Sequence, residues 1–257
     1  MTALKAPFPY PGGKSRIAPV VWQRFGDPAN YVESFFGSGA VLLARPPFDG
    51  NRIETINDAD GHVANFWRAL QADPDAVAHY ADWPVSELDL KARGDWLYYR
   101  PSAREWVEQL RADPEFYDAK SAGWWVWFVS SWIGGLPQIH GRNQAGTPET
   151  GIYDVLPHAG NAGMGVHRPA VGGQRPHLGS GGQGNGVQQV ARQVPHIGGT
   201  GNDHGQGVNR IEFSNGRRAF LTEYLRQLAA RLERVRVICG DWSRVTGPSV
   251  TFKHGVT

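Results

Sequence analysis

The sequence is poor in the residues that cross-link, chelate or anchor a chain. Its 257 residues include a single cysteine, Cys239, which excludes an internal disulfide framework and a cysteine-based zinc cluster. One thiol suits a reducing compartment. No basic segment followed by an apolar run occurs within the first ten residues, so no signal peptide is expected. Long hydrophobic runs are missing too: the densest, over 124–133, is about ten residues, too short to cross a bilayer. Neither sign of charge dominates. A formal net charge of +2 is compatible with a nucleic-acid partner but does not argue for one by itself. What remains is an ordinary globular balance, 40% hydrophobic and 19% charged, which excludes wholesale disorder. A soluble cytoplasmic protein is expected, with one domain or one domain carrying a large insertion.

Three zones differ in composition. Residues 1–136 are rich in apolar and aromatic side chains. Residues 137–210 hold about half of the 33 glycines and none of the ten tryptophans, and regular patterning returns over 211–257. In the first zone 31–35 reads as a short buried strand entering a glycine turn, with a helix over 39–44. A second strand over 52–56 and a second helix over 60–71 follow, an order that predicts a right-handed parallel βαβ unit. Further helices are expected around 86–96 and over 117–132, the latter carrying Trp124, Trp125, Trp127, Phe128 and Trp132. In the last zone Leu221, Leu225, Leu228 and Leu232 recur at helical spacing within 217–234, and 235–239 alternates as a third strand.

The middle zone contains a weak repeat of about nineteen residues, starting at Pro157-His158, Pro176-His177 and Pro195-His196 and closing on Gly165-Val166, Gly186-Val187 and Gly207-Val208. Each copy offers too few apolar residues to stack into a core, so the zone reads as a glycine-rich, mobile insertion. His158, His177 and His196 make a poor metal site, since zinc needs a fourth ligand and a rigid frame.

Chemistry concentrates near the first strand. In Glu33-Ser34-Phe35-Phe36-Gly37-Ser38-Gly39, glycines after a strand and before a helix let a ligand approach the main chain closely. Taken alone this is equally a tight turn. Asp58, about twenty residues on, stands where doubly wound folds set a carboxylate on ribose hydroxyls. Taken alone it is equally a helix cap. Together the two favour a nucleoside-containing ligand. Gly13-Lys14-Ser15 suggests a phosphate loop, but Phe8 occupies the place of its first glycine and no strand precedes it, which disfavours nucleotide triphosphates.

Tyr10-Pro11-Gly12-Gly13-Lys14, then Glu33 to Gly39, then Asn57-Asp58-Ala59-Asp60, and finally Cys239-Gly240-Asp241-Trp242, form an ordered set. It resembles the Dam-like adenine-N6 DNA methyltransferases. The resemblance implies an α/β, Rossmann-like methyltransferase sheet, S-adenosylmethionine as cofactor and double-stranded DNA as partner. It assigns Tyr10, Gly13 and Lys14 to the methionine end of the cofactor, and Glu33, Phe35, Phe36, Gly37 and Gly39 to the methionine moiety and sulfonium. Asp58 would hold the ribose hydroxyls, and Asp241 would accept from the cofactor's adenine amino group. Trp242 would pack on that ring; equally, it is a core tryptophan closing a strand. DNA reading would fall in the inserted region, where Arg142, Arg168, Arg175, Arg192 and Arg210 would contact phosphates or bases, unless they belong to a solvated loop.

The family's Asp-Pro-Pro-Tyr tetrad, which holds the flipped adenine, is absent. Asp27-Pro28, Asp73-Pro74 and Asp113-Pro114 continue with other residues and read as helix starts. The sheet is therefore expected to be partial, with later strands missing and an open edge on the first strand. A truncated or split methyltransferase, completed by a second polypeptide, and a non-catalytic DNA-binding remnant both fit this pattern.

Overall fold

The computed structural model describes residues 4–10, 12–47, 50–131 and 217–248. Three strands form a parallel sheet in the order β1-β2-β3, with β1 at Asn30–Glu33, β2 at Ile53–Asp58 and β3 at Val235–Cys239. Glu33 stands opposite Ile56, and Asp58 opposite Cys239. All three C-terminal ends therefore open at one edge of the sheet. The expected parallel order is borne out, with β2 running two residues further than its pattern suggests. Among the described residues β1 pairs on one side only, with β2.

Eight helices accompany the sheet among the described residues: α1 Ala18–Phe25, α2 Ala40–Leu43, α3 Gly61–Ala72, α4 Pro74–Ala81, α5 Glu87–Tyr99, α6 Ala103–Ala112, α7 Ala119–Ser130 and α8 Arg217–Leu232. Side chains set several of their starts. Asp60 accepts from the His62 amide ahead of α3, Asp73 from Ala76 ahead of α4, Ser86 from Asp89 ahead of α5 and Asp118 from Ser121 ahead of α7. Helices α1, α4 and α6 are not among the helices expected from the pattern, although Asp73-Pro74 reads as a helix start and α4 begins there. The other two Asp-Pro pairs are corrected: Asp27-Pro28 leads into β1, and Asp113-Pro114 enters a turn. Proline fixes its own φ but does not choose between a helix start and a turn.

Helix α3 is buried on every side over Gly61–Leu70, packed between the sheet and α7, with α4 and α8 alongside. Phe66, Trp67, Trp125 and Phe8 meet there at ring-centroid distances of 4.8–6.0 Å. Phe8, the residue that spoils the phosphate-loop pattern, is thus part of the core, 2% exposed. Helices α4 and α7 approach closely because Gly123 has no side chain; a Cβ there would stand 2.4 Å from the Tyr80 Cβ. Helix α8 buries Leu221, Leu225, Leu228 and Leu232, the four leucines of its sequence pattern. Among the described residues no helix is long and apolar enough to cross a membrane. The Gly-rich zone, with His158, His177 and His196 of its repeat and its five arginines, lies outside the described residues.

Candidate cofactor site

The C-terminal edge of a parallel sheet is where backbone amides and strand-end side chains converge without being used up by the ladder. Here the first turn past that edge is Phe35 to Gly39. Gly37 and Gly39 have φ of +54° and +74°, which only glycine adopts freely. The Gly37 N–H donates to Asp58 Oδ2 at 2.8 Å, and its carbonyl accepts from the Trp67 indole at 2.9 Å. The Tyr10 ring lies against Gly37, so closely that a Cβ would come within 2.7 Å of it. Tyr10 itself precedes a tight turn, closed by the Gly13 N–H donating to the Tyr10 carbonyl at 3.0 Å. That turn brings Lys14 back over the site, where its Nζ donates to the Phe35 carbonyl at 2.8 Å.

Three carboxyls gather under this turn. Glu33 ends β1, is buried, and accepts from the Tyr31 hydroxyl at Oε2 at 2.8 Å, with the Leu42 amide also turned towards its carboxylate; Oε1 has no close hydrogen-bond partner among the described residues. Burial pushes its pKa up to about 7, against the Tyr31 hydrogen bond and the Lys14 ammonium, which pull it down. Burial also raises Asp58 above the usual carboxylate range, although the amides of Asp60 and Gly37 and the Lys14 charge favour its ionised form. Asp60 is pushed up to about 7 by burial and by the charge of Asp58. Burial and the two aspartates also hold the Tyr10 hydroxyl firmly protonated. The site is thus an acidic crevice with one ammonium over it, suited to a ligand carrying both hydroxyls and positive charge.

The alternative reading of Asp58 as a helix cap passes to its neighbour. Asp60 caps α3, while Asp58 binds the Asp60 amide through Oδ1 and the Gly37 amide through Oδ2, joining the two segments. Past β3, the Gly240 N–H donates to the Asp58 carbonyl at 3.0 Å, which sets Asp241 at the neighbouring strand end. Asp241 is exposed and accepts from the Ser243 amide at 2.9 Å, a bond that holds its carboxyl below the usual range. Trp242 opens a short 3-10 turn and is 51% exposed, so the core reading of this tryptophan is corrected. Phe35 is 65% exposed at the other lip, while Phe36 turns inward against Trp67.

Tyr10, Lys14, Glu33, Phe35, Phe36, Gly37, Gly39 and Asp58 are therefore brought together, with Gly13 closing the turn beneath Lys14 and Asp241 and Trp242 at the adjacent strand end. Arg142, Arg168, Arg175, Arg192 and Arg210 lie outside the described residues. Sequence reasoning missed Asn57, Asp60, Tyr31 and Trp67. The first two sit inside a motif already singled out, but nothing in the pattern marks Trp67 beyond its apolar face. Among the described residues no group of three or more His, Cys, Asp or Glu is placed to hold a metal ion. Cys239 is buried and its thiol is pushed up to about 11 by that burial, which leaves it unreactive.

No curated protein matches the chain. Residues 10–122 do match the family model of the D12 class N6 adenine-specific DNA methyltransferases, and over this stretch the resemblance to Dam-like adenine methyltransferases drawn from the motifs is borne out.

Proposed function

We propose that the crevice binds S-adenosylmethionine and that the chain serves methylation of adenine N6 in DNA. The observation that carries this reading is the junction of Gly37, Asp58 and Lys14 at the C-terminal edge of the sheet, with the half-satisfied carboxyl of Glu33 beside it. The donor set fits the cofactor. Glu33 supplies a buried negative charge for the ammonium or sulfonium, Asp58 retains lone pairs for ribose hydroxyls, and the exposed Asp241 and Trp242 are free to meet a purine. When bound, the cofactor supplies an electrophilic methyl group. The protein's own residues orient it: the Gly37 turn sets the backbone against it, Tyr10 walls one side, and Lys14 steadies the turn through the Phe35 carbonyl.

We assign residues 1–136 and 211–257 to the cofactor-binding part and the Gly-rich 137–210 to DNA recognition, with its arginines on the phosphate backbone or bases. The Asp-Pro-Pro-Tyr tetrad that holds the flipped adenine in the family does not occur in these 257 residues. It would be supplied from outside them, by further chain or by a second polypeptide. That absence also favours a second reading, a DNA-binding remnant of the same fold that has lost the chemistry.

Transfer of a radiolabelled methyl group to duplex DNA separates the two. Labelling of adenine, by the chain alone or after addition of a polypeptide bearing an Asp-Pro-Pro-aromatic segment, supports the first. Salt-sensitive DNA binding without cofactor binding supports the second.

A further inference from the structure

In a parallel sheet the backbone ladder fixes neighbouring strands to one another, and side chains stand out of the sheet plane. At the C-terminal edge of this sheet the ladder gives out. Its last bonds run from the Phe36 N–H to the Asn57 carbonyl and from the Gly240 N–H to the Asp58 carbonyl, both 3.0 Å. Beside these two backbone bonds one side chain adds a second tie to each neighbouring strand end. Asn57, 1% exposed in β2, donates through its single Nδ2 to the Ser34 carbonyl at 3.1 Å and to the Gly240 carbonyl at 3.0 Å.

We propose that Asn57 is the positioning residue that sets the distance between the two lips of the cofactor crevice. The proposal rests on the cofactor reading above. Ser34 leads into the Phe35–Gly39 turn, which carries the methionine half of the pocket. Gly240 leads into Asp241 and Trp242, which carry the adenine half. The amide bridges both, so that, beside one backbone bond from each lip to β2, a single side-chain group spans the two half-sites directly. Its orientation follows from the partners: turned over, Oδ1 would face two carbonyls and repel both. In the observed orientation Oδ1 is buried without a hydrogen-bond partner among the described residues. Both donors are engaged at the expense of the acceptor. The side chains of Trp67 and Asp58, by contrast, bond only to the first lip. Aspartate has no donor for either carbonyl, and alanine reaches neither.

The test compares whole and divided ligands on the full-length chain. In Asn57→Ala, affinity for S-adenosylmethionine falls by about tenfold or more, as expected for two lost buried hydrogen bonds, while methionine alone and adenosine alone bind within about threefold of wild type. A merely structural role would weaken all three ligands alike, or lower only the melting temperature. Either result, in a folded variant, overturns the proposal. A second measurement needs no variant. In the wild-type chain, methionine alone slows hydrogen exchange of the Gly240 amide, across the Asn57 bridge, and leaves the α7 amides unchanged. An unchanged Gly240 amide under saturating methionine overturns the proposal even if Asn57→Ala does not fold. A wild-type chain that binds none of the ligands would instead refute the cofactor reading on which the proposal stands.

Discussion

Glu33 carries a proton in the folded chain over a pH range where free glutamate does not. Its pKa of about 7 lies above the ordinary 4.5, so the stability held by its protonated form is complete below pH 4.5 and is lost as pH rises through 7. Asp60, about 7 against an ordinary 3.8, behaves in the same direction. A cationic ligand reverses the preference, because it stabilises the ionised carboxylate. S-Adenosylmethionine affinity is therefore expected to rise between about pH 6 and 8 with release of a proton. Glu33→Gln should bind about tenfold more weakly at pH 8 and lose most of that slope, Asp60 accounting for the remainder. Calorimetry in buffers of different ionisation enthalpy reads both the affinity and the proton; equal affinity of wild type and variant at pH 8 would remove Glu33 from the site.

His62 titrates the other way. It is 1% exposed among Tyr98, Trp106 and Trp125, and neither ring nitrogen has a hydrogen-bond partner among the described residues. Burial, with help from the charge of Arg100, lowers its pKa to about 3 from an ordinary 6.5. Its contribution is complete above 6.5 and is lost as pH falls towards 3. His62→Phe keeps the ring and removes the two orphaned nitrogens, so it should stabilise the fold by about 1–2 kcal/mol at pH 7. The gain should be larger at pH 5. Urea melts at the two pH values check this, and a loss of stability at both would mean that the nitrogens are satisfied.

Among the elements, α8 packs on α3 and α4 through its leucines and is tied to β2 through an arginine. Arg231 binds Glu54 through both terminal guanidinium nitrogens at 2.8 and 2.9 Å, and Arg45 binds the same carboxylate at 2.8 Å. Arg45, with its side chain 0% exposed, also pairs with Asp27 at 2.9 Å and lies over the Trp22 and Tyr31 rings. These arginines hold Glu54 below the ordinary glutamate range despite its burial. Glu54→Ala would leave Arg45 buried with part of its countercharge gone, and is expected to cost about 3–5 kcal/mol in a urea melt. The exposed pair between Arg226 of α8 and Asp75 of α4 is the contrast: Asp75→Ala should leave the urea midpoint unchanged. Equal effects of the two would show that the buried network is not what fastens α8.

Periodicity made the elements that face the core legible. The leucines of α8, the alternation of β3 and the strand-to-glycine turn of β1 each name their own geometry. Helix α1 stayed hidden because it exposes Val20 and Phe25 as well as burying Trp22, so its apolar residues mark no single face. Helix α6 buries Ala103, Trp106, Val107 and Leu110, the i, i+3, i+4, i+7 spacing of an amphipathic helix, so it was legible in the pattern and simply passed over.

At the scale of the whole molecule, β2 pairs with a strand that begins 177 residues after Asp58, and the crevice exists only once that pairing is made. The motifs named one side of the crevice, because a glycine turn and a carboxylate have a recognisable spacing. They could not show that Asn57 joins its two lips, that Glu33 is short of a hydrogen bond, or that Trp242 faces outward. Those properties arise from three strands meeting at one edge, not from any local pattern. The same assembly gives the central claim its sharpest test, calorimetric titration of the full-length chain with S-adenosylmethionine beside Asp58→Ala, with circular dichroism on both. The account predicts saturable binding to the wild type and a loss of at least about tenfold in the variant, since Asp58 holds the Gly37 amide and, on the proposed reading, would meet the ribose. A folded wild-type chain that takes up no cofactor, or an Asp58→Ala chain that binds as well as wild type, would contradict it.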